Sequence, residues 1–298
     1  MRSRWLVLTL ALALTLTLCA CAPRQADNAA GGAGVVPVRG GDGGRLPRAS
    51  PVDEKLDSSV LQQALKNGSQ RGAGALLIAR HGHLILERYS AGLGAESLID
   101  GGDMSAAILA LCVGIARDER ILGEVDLKHF DAAALQSGLV AAAKMPYADY
   151  ISRELWRPMN AAPAALAGSL RARAEDWLRV GMLLLQEGRL EGAQIVSADW
   201  IRKMQEPDGS DPAMGFGLRR ALSSEHYETS ELYYLNGVGR TRLWLLPKLQ
   251  LVILRVDPTP ASGSWDATTA LNPLLAAVLD QPAQPAGASL LNQLVPGH

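Results

Sequence analysis

The pattern of hydrophobic and polar positions places strands at both ends of the folded region and helices between them. Residues 75–79 and 84–86 are apolar runs rich in β-formers, and His81-Gly82 between them fits a tight turn, so residues 74–89 are predicted to form a β-hairpin. Three later segments rich in β-formers predict further strands, at residues 231–235, 241–246 and 250–256.

The central segments have the hydrophobic spacing of helices. Apolar residues recur on one helical face in two stretches, Met104, Ile108, Leu111 and Ile115, then Leu170, Ala174, Trp177, Gly181 and Leu184. Further helices are predicted at residues 53–66, 147–156, 198–205 and 265–279. This order of elements predicts an α/β or α+β sandwich, with an antiparallel sheet flanked by helices.

The first 20 residues have the layout of a secretory signal. Arginines precede an apolar run at residues 5–18, which is too short to cross a bilayer and ends at a small-residue cleavage site. Leu18-Cys19-Ala20-Cys21 resembles a bacterial lipobox, which implies acylation of Cys21 and a lipid bilayer as partner. Ala22 favours the periplasmic side of a Gram-negative outer membrane. The alternative is an ordinary secretion signal with two incidental cysteines.

Composition divides the rest of the chain. Residues 21–50 are rich in Gly, Ala, Pro and Arg and are predicted to be a flexible tether; residues 51–281 form the domain and residues 282–298 a flexible tail. After removal of the signal and acylation, only Cys112 remains, so the domain is expected to hold neither an internal disulfide nor a cysteine metal site. The net charge of −1 gives no reason to expect nucleic-acid binding.

Four segments resemble the β-lactamase-related serine hydrolases, a family that includes class C β-lactamases, DD-peptidases, esterases and 6-aminohexanoate-dimer hydrolases. They are residues 74–89, 147–158, 169–200 and 237–247, and they occur in family order. The resemblance implies the family's fold, with a helical region shortened at residues 121–146.

The motifs that carry the family's chemistry are altered. The resemblance aligns Asp103 with the nucleophilic serine and Ala106 with the lysine of Ser-x-x-Lys, and no serine in the chain has a lysine three residues later. Residues 121–146 lack the tyrosine of Tyr-x-Asn; Tyr234-Leu235-Asn236 has the right letters but lies out of order, and we interpret it as a coincidence. Leu235-Asn236-Gly237 matches the third motif, keeping its glycine and losing its cation.

Asp103 is predicted to be a structural N-cap, a role that aspartate favours; the alternatives are a ligand-binding carboxylate and a catalytic group. Ser105 is expected to be a first-turn residue, and a residual pocket would contain Asp103, Ser105, Asn236 and Gly237. Alternation across the hairpin predicts that His81 and His83 point to different faces, while His129 and His226 are isolated in the sequence. No metal or cofactor is therefore expected.

Two functions follow. The predicted one, because three motifs are altered together, is a pseudoenzyme that keeps the fold and serves in binding or scaffolding, with a cell-wall peptide or an envelope protein as partner. The other is an active peptidase, amidase or esterase with displaced catalytic groups. A third possibility is a decaying gene product that has no function.

Overall fold

The computed structural model describes residues 34–66, 70, 72–90, 92–207, 211–229, 231–257 and 265–280. The predicted signal peptide, Cys21 and the predicted tail lie outside these residues. The strands, in chain order, are β1 Val36–Val38, β2 Ala75–Arg80, β3 His83–Tyr89, β4 Leu98–Asp100, β5 Ala164–Ala167, β6 Ser169–Arg173, β7 Arg189–Leu190, β8 Ala193–Gln194, β9 Arg219–Arg220, β10 Tyr233–Asn236, β11 Arg242–Leu246 and β12 Leu251–Val256.

The helices account for most of the central part of the chain. In chain order they are α1 Ser58–Lys66, α2 Ser105–Asp118, α3 Ala132–Ala143, α4 Tyr147–Tyr150, α5 Ala174–Leu185, α6 Ala198–Gln205 and α7 Ala267–Leu275. A π-helical turn, Ile151–Trp156, continues α4. No helix among the described residues is both apolar enough and long enough to span a bilayer.

The main sheet is antiparallel, with the strand order β3-β2-β12-β11-β10-β9. Its inner strands β2 and β12 are buried along their whole length, since helices cover both faces. Alternate residues face opposite sides: Leu77 packs in the cluster with α2 and α5, and Ile78 in the cluster with α1 and α7. The predicted sandwich of helices on an antiparallel sheet is confirmed.

A second sheet, β1-β5-β6-β4, corrects two sequence predictions. The sequence predicts residue 170 in a helix, but Leu170 lies in β6 and the helix α5 begins at Ala174. Leu170 is a buried strand residue, and its spacing of four from Ala174 matches the helical spacing only by coincidence.

The predicted tether also ends earlier than residue 50. Strand β1 pairs with β5, and the side chains of Val38 and Leu46 are almost fully buried. The Leu46 amide donates a hydrogen bond to the Glu175 carboxylate at 2.5 Å. The folded unit therefore includes residues from Gly34 onward. The composition did not predict this, because the segment lacks hydrophobic periodicity. A few contacts to buried charged residues hold it in place instead.

Candidate functional site

The candidate site lies where α2 begins. The chain leaves β4, passes through a 3-10 turn, Gly102–Met104, and enters α2 at Ser105. A pocket of about 230 Å³ lies beside this turn, and its other walls are formed by α3, the start of α4 and the β5–β6 hairpin. It is lined by Gly102, Asp103, Ser105, Ala106, Ile108, Leu109, Ala132, Gln136, Tyr147, Ile151, Leu166, Gly168 and Leu170.

Two glycines allow the turn to approach its neighbours. A Cβ on Gly101 would collide with the Trp177 ring, which is fixed by its indole N–H bond to the Ile99 carbonyl at 3.2 Å. Gly102 has a φ of +50°, and a Cβ there would lie 3.0 Å from Val238 Cγ2. The end of β10 is thereby held against the start of α2.

Asp103 is not the predicted cap. The N-cap position of α2 belongs to Met104, which has φ −58° and ψ −22°, and no side chain caps either the 3-10 turn or α2. An N-cap side chain usually accepts a backbone N–H of the first helical turn, and Asp103 makes no such bond. Among the described residues, the exposed Asp103 carboxylate has no hydrogen bond or ion pair.

Asp100 takes the structural role instead. Its carboxylate accepts the Gly102 N–H at 3.0 Å and the Ser169 hydroxyl, and Arg171 lies 3.3 Å away. Burial raises the pKa of Asp100, but these hydrogen bonds outweigh burial and leave its pKa below the ordinary value. The signal that could have found it is an aspartate two residues before a turn glycine, the pattern of an Asx-turn.

The pocket contains a hydroxyl without an amine beside it. Ser105 Oγ accepts the Leu170 N–H at 2.9 Å. Ser105 is therefore more than the first residue of α2, because this bond joins α2 to β6. Ala106 presents only a methyl group, and none of the lining residues is Lys, Arg or His. Burial raises the pKa of the Tyr147 phenol well above its ordinary value, so this phenol stays protonated.

Asn236 and Gly237 lie at the rim of the site rather than in the pocket. A Cβ on Gly102 would be 3.3 Å from the carbonyl carbon of Gly237, but neither Asn236 nor Gly237 lines the cavity. Tyr234 packs on the opposite face of the sheet, in the cluster with α1 and α7. This position agrees with the interpretation of Tyr234-Leu235-Asn236 as a coincidence.

The prediction for the two hairpin histidines was wrong. His81 and His83 direct Nδ1 to the same carboxylate, that of Glu54, at 2.6 and 2.8 Å. His81 has a φ of +48° and belongs to the turn, so strand alternation does not apply to it. Within the described ranges, no group of three or more His, Cys, Asp or Glu side chains is placed to hold a metal ion.

Solved structures of other proteins superimpose on this fold. No family model matches the chain. EstCE1, a hydrolase with promiscuous acyltransferase activity, superimposes with a TM-score of 0.56 at 12% identity over 76% of this chain and 98% of that one. A β-lactamase from Sulfitobacter sp. EE-36 gives 0.54 at 11% identity over 76% and 98%. The octameric penicillin-binding protein homologue from Pyrococcus abyssi gives 0.54 at 12% identity over 75% and 78%.

The chain has the fold of the β-lactamase-related serine hydrolases. In this fold, the motif comparison from the sequence aligns Asp103 with the nucleophile and Ala106 with its lysine. Both residues line the pocket at the start of α2. Asn236 and Gly237, which align with the third motif, end a strand beside the same turn. On that alignment, the positions of the first and third motifs meet at one site.

Proposed function

We propose that the protein is a lipid-anchored envelope protein that uses the β-lactamase-related serine hydrolase fold to bind a ligand without hydrolysing it. The observation that carries this proposal is the pocket at the start of α2, which is open but lined by a carboxylate and a methyl group at the positions of the nucleophile and the base. A cell-wall peptide or an envelope protein would be its partner.

The electrostatics of the helix start support this proposal. The N-terminus of a helix carries roughly +0.5 of an elementary charge, which favours a developing oxyanion. A full negative charge on Asp103 in the turn before α2 exceeds that partial charge and reverses the sign of the local potential. Acyl transfer at this point would then build one negative charge next to another.

Proton transfer is also unsupported. A serine hydroxyl attacks an acyl group only when a neighbouring base removes its proton. Ser105 lines the pocket, but the lysine position holds Ala106, and the phenol of Tyr147 is kept neutral by burial. The Ser105 oxygen, moreover, accepts the Leu170 N–H, which reduces its nucleophilicity.

Labelling with active-site probes tests the absence of catalysis. Full-length protein incubated with a fluorescent penicillin or a fluorophosphonate is expected to stay unlabelled, as is its Ser105→Ala variant. The double variant Asp103→Ser/Ala106→Lys restores only the first motif and is expected to regain little labelling. Stoichiometric labelling of the wild type, abolished by Ser105→Ala, would establish an active hydrolase with a displaced nucleophile.

The lipid anchor is a separate part of the proposal. It rests on the lipobox that ends at Cys21 and on the short apolar run before it. Changing Cys21→Ser is expected to move the protein from the membrane to the soluble periplasmic fraction, whereas Cys112→Ser should leave it on the membrane. A membrane-bound Cys21→Ser variant, together with a wild type of unlipidated mass, would refute the anchor.

A further inference from the structure

We infer that the pocket at the start of α2 binds a primary amine carrying a small apolar group, with the Asp103 carboxylate holding the ammonium. This inference rests on the proposed function, because it takes the pocket to be a binding site. It adds the chemical class of the ligand.

The first argument is charge. Asp103 is the one charged residue among those lining the pocket. Its carboxylate is exposed and has no hydrogen bond or ion pair within the described part of the chain. The charge of −1 outweighs the roughly +0.5 of the helix start, so the mouth of the pocket attracts a cation.

The second argument is that the nearby charges are already compensated. Asp100 is held by Ser169, Arg171 and the Gly102 N–H. Arg171 is paired to Asp100, so neither residue competes for Asp103 or supplies a cation to it. At the third-motif position the residue is Asn236, a neutral amide. A carboxylate ligand would find no cation among the residues that line this pocket.

The third argument is shape and polarity. The walls are mostly apolar and include Ile108 and Leu109 from α2, Ile151 from the π-helical turn, and Leu166 and Leu170 from β5 and β6. A volume of about 230 Å³ is smaller than the roughly 300 Å³ at which drug-sized sites begin, so the ligand is a short one. An ammonium at Asp103 with an alkyl or leucine-sized group beyond it satisfies both regions.

Calorimetric titration of the full-length protein with three ligands of equal length tests the inference: hexylammonium, hexanol and hexanoate. Hexylammonium is expected to bind about 10-fold more tightly than hexanol, because it adds a charge-assisted hydrogen bond, and hexanoate should bind most weakly. Asp103→Asn should remove the preference for the amine. Asp199→Asn, which neutralises an exposed carboxylate on α6 outside the pocket, should keep it.

Two further ligands identify the source of the amine. Leucinamide binding more tightly than hexylammonium, and losing affinity on N-acetylation, indicates the amino end of a peptide; the reverse order indicates a free alkylamine. Equal affinity of the wild type for hexylammonium and hexanol would overturn the inference, as would a preference that survives Asp103→Asn. If either result is obtained while the wild type stays unlabelled by the active-site probes, only the inference of an amine ligand is refuted. Labelling of the wild type by those probes would instead refute the non-catalytic function.

Discussion

The starts of helices α2 and α5 both carry acidic residues, and the two regions use them in opposite ways. At α5, the side chains of Glu175, Asp176 and Arg179 are fully buried. Arg179 donates to Asp176 at 2.8 Å, to the Gly44 carbonyl and to Glu175 at 3.4 Å. Glu175 also receives Arg45 at 2.7 Å.

At α2, Asp103 is exposed at the mouth of a pocket without such partners among the described residues. A buried charge must be paired because desolvation is costly, so the charges at α5 serve the fold. An exposed, unpaired carboxylate in a pocket contributes little to the fold. The difference separates a structural helix start from one that is available to a ligand.

The largest expected effect comes from breaking the buried network. Arg179→Met keeps the volume and leaves Asp176 and Glu175 without their common partner, so we expect the free energy of unfolding to fall by about 3–5 kcal/mol. Arg202→Met is the matched control: its ion pairs with Glu187 and Asp199 are exposed, and the expected loss is below about 1 kcal/mol. Urea unfolding measures both, and equal losses would contradict the structural role assigned to the α5 start.

A smaller effect is expected at Asp100, and it depends on pH. A pKa that is lower in the folded state than in the unfolded state stabilises the fold above the unfolded value of about 4. That stabilisation is lost as the pH falls through the folded pKa. Asp100→Asn should therefore be less stable than the wild type at neutral pH, and the two stabilities should converge below about pH 4.

Thermal unfolding of both proteins between pH 3 and 7 measures this convergence. Asp42→Asn, which changes an exposed aspartate outside the pocket, is a suitable comparison for general charge effects. A difference between wild type and Asp100→Asn that stayed constant over the whole range would show that Asp100 is not the titrating group.

The smallest effect is expected at Asp103. A true N-cap would be worth about 0.5–2 kcal/mol, but Asp103 has no capping bond, so Asp103→Ala should change the free energy of unfolding by less than about 0.5 kcal/mol. Asp131→Ala provides the contrast, because Asp131 does cap α3, accepting the Ala134 N–H at 3.0 Å. A loss at Asp103 as large as that at Asp131 would return Asp103 to a structural role.

The sequence by itself determined the sandwich of sheet and helices, the hairpin β2–β3, and the bounds of α6 to the residue. These elements follow from local periodicity, which short segments carry on their own. The sequence also placed Asp103 and Ala106 near the start of a helix, where both line the pocket.

Only the tertiary structure decided what these residues do. Whether an aspartate caps a helix depends on the local backbone, and here Met104 occupies the N-cap position while Asp100, not Asp103, bonds to the turn through the Gly102 N–H. The inclusion of residues 36–48 in the domain depends on Glu175, more than a hundred positions away. The pocket itself exists because Gly101 and Gly102 let the turn pack against Trp177 and Val238, a contact between distant segments that no local pattern encodes.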